Sequence, residues 1–223
     1  ALSSAAQMCI RDRYDTFRSR LMFPVIDVRG NVIGFSGRIL GEGEPKYMNS
    51  PETLVFNKSR NLFALNLAKK SKCGYIILSE GNIDVASLHQ AGFDSAVASL
   101  GTSLTPEQAR LISRYTSQVI IAYDNDGAGI KAAQRAIGIL EKLELKVKVL
   151  RLEGAKDPDE FIKLKGAEAF RKLLEGSENQ IDYRLRQVTE KFDLSADEQK
   201  VAFLKEATDL VARLPGAVER QVY

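Results

Sequence analysis

From residue 74 onward the chain alternates short apolar runs with longer stretches in which apolar residues recur every three or four positions. The runs at 75–79, 95–98, 118–123 and 146–150 have the length and the Val/Ile content of buried strands, and the intervening 83–91, 106–115 and 128–142 have helical spacing. Strands alternating with helices in this way predict a parallel sheet. The punctuation agrees. Gly92 stands where a helix C-terminus calls for glycine, and Thr105-Pro106-Glu107-Gln108 combines an N-cap, a proline at the first helical position and a capping-box glutamine. Upstream, 22–28 and 32–39 read as a hairpin around Arg29-Gly30-Asn31, with Gly34 and Gly37 marking a bulge or a close backbone approach. Residues 41–45 are turn-rich, Lys46 to Glu52 forms a polar-aromatic string, and 62–70 is helical in pattern, so a boundary is expected near Asn61. After Gly166 the strand signals stop, and 167–175, 179–191 and 196–214 carry helical spacing. The expectation is an α/β chain with a β-rich part at 14–61, a parallel-sheet part at 62–165 and a helical part at 166–223.

Composition narrows the class more than the function. The chain has 223 residues, of which 44% are hydrophobic, enough for a core. A formal net charge of +3 is only mildly basic and does not by itself announce a nucleic-acid partner. Cys9 and Cys73 lie far apart and His89 is the single histidine, which excludes a Cys/His zinc site and gives no reason to expect disulfides. A reducing cytoplasm fits that usage. No apolar run approaches the roughly 20 residues of a membrane helix, and Ala1 to Met8 lacks the regions of a secretory signal, so no membrane partner is expected. The chain does not begin with methionine, and residues 1–13 are left unassigned, as residues foreign to the rest of the chain.

The chemistry concentrates in three acidic clusters: Glu80-Gly81-Asn82-Ile83-Asp84, Asp124-Asn125-Asp126-Gly127-Ala128-Gly129 and Lys156-Asp157-Pro158-Asp159-Glu160. The first two begin where apolar strands stop, and open α/β sheets bind ligands at the carboxyl ends of their strands. Carboxylates about 4 Å apart repel by roughly 4 kcal/mol per pair at an effective dielectric near 20, so a divalent cation is the simplest occupant. Each cluster has a plainer reading: an Asp/Gly loop for 124–129, a dipole-complementing first-turn residue for Asp84, an N-cap for Asp157. An EF-hand fails, because it needs ligands where Ala128 and Arg135 stand. A haloacid-dehalogenase-type phosphatase, with Asp124 as nucleophile and Asp126 as acid, stays open on the residues alone, although its acidic run belongs to a first strand and here two strands precede it.

In this order, and with strands feeding the first two, the clusters resemble the Toprim domain shared by bacterial primases, topoisomerases and some nucleases. Phe17 to Val25, Gly34 to Arg38, Pro45 to Glu52 and Phe56-Asn57-Lys58 are similar to the segments that precede Toprim in bacterial DNA primase. The resemblance implies a partial N-terminal core subdomain, a Toprim domain and a C-terminal helical subdomain over the three spans above. It implies Glu80, Asp124 and Asp126 as catalytic, metal-holding acids, with Asp84, Asp157 and Asp159 in support; Lys46, Tyr47 and Asn49 as nucleotide-binding; and Arg18, Arg20, Arg38 and Lys58 as nucleic-acid-binding. Plain surface charge is the preferred reading for Arg20 and Arg38 taken singly. The implied cofactor is Mg2+, with Mn2+ able to substitute and no zinc, and the implied activity is synthesis of RNA primers on single-stranded DNA from ribonucleoside triphosphates. The replicative helicase is expected as a partner through a domain lying outside this chain. Asn82 and the Asn125-Asp126-Gly127 run depart from the family's commoner residues without removing a carboxylate. A Toprim nuclease or topoisomerase piece, and a silent DNA-binding piece, remain the alternatives.

Overall fold

A computed structural model describes residues 15–101, 103–214 and 216–223; the N-terminal stretch set aside above, with Cys9, lies outside them. Two sheets form. The first is antiparallel, order β1-β2-β3, from β1 (Arg20–Ile26), β2 (Val32–Ile39) and β3 (Tyr47–Asn49). The hairpin is as expected, but β1 ends before residue 27. The Asp27 carboxylate accepts hydrogen bonds from the backbone N–H of Arg29 (2.8 Å) and Asn31 (2.9 Å), which closes the turn and withdraws 27 and 28 from the ladder. Gly34 serves a close approach: a Cβ there would stand 3.1 Å from the Phe56 ring, which is fully buried beside Val25 and Leu100. The register shift between Val25 and Ile26 lies opposite it. The third strand was not expected, since three residues between Pro45 and Pro51 carry no readable period.

The second sheet has the order β5-β4-β6-β7-β8, from β4 (Ile76–Ser79), β5 (Ala96–Ala98), β6 (Gln118–Ala122), β7 (Lys146–Val149) and β8 (Glu178–Asn179). The first four run parallel, as the alternation predicts. The fifth corrects the expectation that strands end by Gly166, because Glu178 and Asn179 pair antiparallel with Val149 and Lys148. Helices α1 (Leu65–Ala68), α2 (Asn82–Gln90), α3 (Pro106–Ile112), α4 (Gly127–Glu141), α5 (Pro158–Glu175), α6 (Gln180–Thr189), α7 (Asp197–Ala212) and α8 (Ala217–Val222) complete the described residues. Helix α1 is much shorter than the 62–70 pattern suggests. Phe63 pairs with Ala98 through N–H···O bonds in both directions (2.9 and 3.3 Å), and Ala64 takes φ +63°, so the helix cannot start earlier.

The strands alternate their side chains between two cores. Ile76, Leu78, Val119, Ile121 and Val147 face Ala109, Ile112, Ala133, Ile137 and Leu140 of α3 and α4. Ile77 and Ile120 face Val85 and Leu88 of α2 and Phe161 and Phe170 of α5. Each large side chain buried this way contributes about 1.5–3 kcal/mol, so the sheet is a firm platform for whatever its edge carries. The connection from β4 leads to β5 on one side, and the connection from β6 leads to β7 on the other. Loops therefore diverge at the carboxyl ends of adjacent β4 and β6, which opens a crevice there.

Candidate functional site

The ladder between β4 and β6 ends with Ser79 beside Ala122, so Glu80 leaves the sheet next to Tyr123, with Asp124 one residue further on. The Asp124 N–H donates to Glu80 Oε1 at 3.3 Å. Gly81 then opens α2, and its N–H donates to Asp84 Oδ2 at 3.1 Å, so Asp84 sits in the first turn, as the plainer sequence reading has it, and also takes an otherwise unpaired N–H. Asp84 is also buried, and its other oxygen accepts from the Asp159 N–H at 3.4 Å. Asp126 is the N-cap of α4, its carboxylate taking N–H groups from Ala128 (2.9 Å) and Gly129 (2.7 Å). Gly129 has no room for a side chain: a Cβ would meet the Asp124 carbonyl oxygen at 2.0 Å and Glu80 Oε1 at 3.0 Å. The third acidic loop is tied to the second by Asn125 N–H donating to Lys156 O at 2.8 Å. Asp157 caps α5 through the Glu160 N–H (2.8 Å), and Asp159 is held by Lys163 at 2.6 Å and by the Ser87 hydroxyl.

These loops wall a cleft of about 380 Å³, where Glu80, Asp84, Asp124, Asp157 and Asp159 face Arg38, Lys46 and Tyr47 from the small sheet, with Lys156 and Lys163 at the rim. Arg38 and Tyr47 are register partners across β2 and β3, and the guanidinium lies 5.8 Å from the Tyr47 ring centre. The remaining basic and polar candidates stand elsewhere. Arg20 donates to the carbonyls of Gly37 (3.1 Å), Pro45 (2.9 Å) and Lys46 (3.5 Å), bracing the small sheet. Asn49 packs on Gly101, its Nδ2 being 2.6 Å from where a Cβ would lie. Arg18 is exposed and donates to Asp15 O, and the Lys58 carbonyl accepts from Gln108. Lys163 was not singled out from the sequence, although its place four residues after Asp159 on a helix is a readable pairing signal.

Burial, and next the Asp124 charge, push the Glu80 carboxyl up to about 7. Burial, then Asp157 and Asp124, push Asp84 to about 7 as well, and Asp124 is raised by burial with Asp157 and Asp126 behind it. Burial also acts to raise Asp159, but the hydrogen bonds from Lys163 and Ser87 with the Lys163 charge outweigh it and leave that carboxyl below its usual range. Among the described residues no three His, Cys, Asp or Glu side chains are oriented as a ready-made ion cage. Asp84, Asp126 and Asp157 are engaged in capping helices and Asp159 in holding Lys163, bonds that leave each carboxylate further lone pairs. The donor chemistry nonetheless fits a hard divalent cation: Glu80, Asp84, Asp124 and Asp157 offer oxygen alone, three of them with ionisation opposed by their surroundings.

Comparison with known proteins matches this arrangement. Residues 2–69 match the family described as DNA primase catalytic core, N-terminal domain, a span that takes in the stretch left unassigned above; residues 77–162 match the Toprim-like family. Residues 181–223 match the DnaB-helicase binding domain of primase, which corrects the expectation that a helicase-binding domain lies outside this chain. The chain is 45% identical to the DNA primase of Clostridium acetobutylicum over 94% of its own length and 35% of the relative's, and 42% identical to that of Listeria monocytogenes over 94% and 34%. It thus spans about a third of the length of the curated relatives it matches. Among solved structures, a DnaG primase catalytic domain bound to single-stranded DNA is 37% identical with a TM-score of 0.78, covering 95% of this chain and 68% of that one. The E. coli primase catalytic core is 37% identical at 0.77 (94% and 68%), and the RNA polymerase domain of Mycobacterium tuberculosis primase with an overhanging duplex is 31% identical at 0.83 (94% and 69%). Coverage and identity of that order place the chain in a family: it belongs to the DnaG-type bacterial DNA primases, within their Toprim-bearing catalytic core.

Proposed function

We propose that the cleft is the nucleotidyl-transfer site for synthesis of short RNA primers on a single-stranded DNA template. The observation that carries this is the meeting of Glu80, Asp84, Asp124 and Asp157 with Arg38, Lys46 and Tyr47 across one crevice at the switch point of the sheet. Toprim primases as a class depend on metal, and Mg2+, with Mn2+ substituting, suits an all-carboxylate donor set. Glu80 and Asp124 are the principal ligands in this reading, Asp84 and Asp157 their support; Asp126 serves by fixing the 124–129 turn, and Asp159 by anchoring Lys163. Bound there, a divalent cation supplies Lewis acidity toward the 3′-hydroxyl and charge neutralisation on the triphosphate. Lys46 and Lys163 meet phosphate charge, Arg38 presents a planar fork to a phosphate, and Tyr47, half-buried beside it, offers a ring face to a base. Ribonucleoside triphosphates and template DNA are the substrates proposed, and residues 181–223 the surface that meets the replicative helicase. Arg18, Asn49 and Lys58 lie away from the cleft walls and are assigned to the template path at most.

The test is incubation of the chain with an unstructured DNA template, labelled ribonucleoside triphosphates and Mg2+ or Mn2+. Template-dependent labelled RNA supports the proposal. Scission of the template without incorporation would transfer the site to the Toprim nucleases, and retention of template without either reaction would leave a binding module.

A further inference from the structure

Immediately beyond the ladder, Glu80 and Tyr123 occupy neighbouring positions on β4 and β6, following the Ser79–Ala122 pair. By the alternation of the strands both turn to the α3/α4 side: Tyr123 follows Ile121 into that core, as Glu80 follows Leu78. The Tyr123 ring is buried, 6% exposed, and its hydroxyl has no hydrogen-bond partner. A buried polar group left unpaired costs roughly 1–3 kcal/mol, and phenylalanine in its place would avoid that cost. Behind the acidic cleft lies a second cavity of about 290 Å³, bordered by Glu80, Tyr123, Ser99 and Ser103. Glu80 therefore separates two spaces, with the acids on one side and the unpartnered phenol on the other. Ser103 already accepts from Arg135 at 3.0 Å, and α4 otherwise presents Ala132 to this cavity, so Glu80 is the carboxylate that faces the phenol.

We infer that the Tyr123 hydroxyl is a positioning donor for Glu80: a side-chain rotation lets one carboxylate oxygen accept from Tyr123 while the other serves the cleft. This rests on the cation reading above. Carboxylates that hold metals are themselves oriented by hydrogen bonds, and loss of such a partner typically weakens affinity about 10–100-fold. The roles are complementary, since an ionised Glu80 accepts and the phenol donates.

Tyr123→Phe deletes one oxygen and keeps the ring. Mn2+ binding to the intact chain, followed by the electron paramagnetic resonance of free Mn2+, is expected to weaken about tenfold or more, while the unfolding temperature in EDTA stays equal or rises. Wild-type Mn2+ affinity in Tyr123→Phe, alongside weakened affinity in Glu80→Gln, would overturn the positioning role and leave the cation site standing. Wild-type affinity in Glu80→Gln as well would remove the cation reading and this inference with it. A fall in the EDTA unfolding temperature that parallels the affinity loss would make Tyr123 a packing residue and overturn the proposal too.

Discussion

Gly129 is the residue on which the geometry of the acids turns. With 2.0 Å between its missing Cβ and the Asp124 carbonyl, Gly129→Ala must push α4 off the 124–126 turn, at a cost of about 1–3 kcal/mol or more by the usual scale for overpacking. Urea denaturation measures it, and an unchanged midpoint would contradict the tight turn. Glu80 and Asp84 set a pH dependence whose sign follows from their raised carboxyls. The unfolded chain loses these protons near pH 4 and the folded chain only near 7, so the folded form binds more protons in between. In EDTA, stability should fall as pH rises from about 4.5 through 7, and Mg2+ at pH 8 should restore it. A melting temperature flat from pH 5 to 8 in EDTA would contradict the account. At this scale the placement of acids at the sheet edge was readable where they follow apolar strands, as with Glu80 and Asp124. The helix-capping role of Asp126 was not readable, since an Asp-x-Asp-Gly run announces a helix cap and a ligand loop in the same letters. Arg20 and Arg38 are likewise indistinguishable in sequence, and only strand register sends one to backbone carbonyls and the other to the cleft.

Elements join through Gln108. Its Oε1 accepts from the Thr105 N–H at 3.0 Å, as the capping box predicts, while its Nε2 donates to the Lys58 and Asn61 carbonyls at 2.9 Å each, tying α3 to the segment entering the parallel sheet. Fully buried, it has no water to replace those bonds. Gln108→Ala should cost about 1–3 kcal/mol, more than an exposed cap loses, and should raise amide exchange at 58–61. Protection of those amides equal to wild type would show that the tie is dispensable. The cap was legible because it is local; the tie was not, because its partners are some fifty positions upstream. The same division holds for strands. The four parallel ones announce themselves by short apolar or Val-bearing runs spaced between helical stretches, whereas Tyr47–Asn49 and Glu178–Asn179 are strands only because a neighbour offers a ladder edge.

Across the whole molecule a net charge of +3 hides an uneven distribution, with Arg38, Lys46, Lys156 and Lys163 gathered about one acidic crevice. If the template follows that rim, affinity for a single-stranded DNA oligomer should fall linearly on a log–log plot against salt. Replacing Lys46 and Arg38 together by Ala should shrink the slope by about 0.7 for each phosphate that the variant no longer neutralises. A slope unchanged in that variant would move the template path elsewhere on the surface. Fold class and the order of the acidic loops were legible at this scale because the βα alternation is periodic. The helicase-related segment at 181–223 was not, since its helices bear an ordinary amphipathic pattern, and α7 buries none of its side chains in the described structure.

The central claim is that carboxylates delivered by adjacent strand ends share one divalent cation. Calorimetric titration of Mn2+ into the wild type and into Asp124→Ala at pH 8 tests it most directly. The expected result is a defined site in the wild type and a loss of affinity of about a hundredfold or more in the variant, because a ligand and its charge disappear together. Equal heats and equal affinities in the two proteins would contradict it.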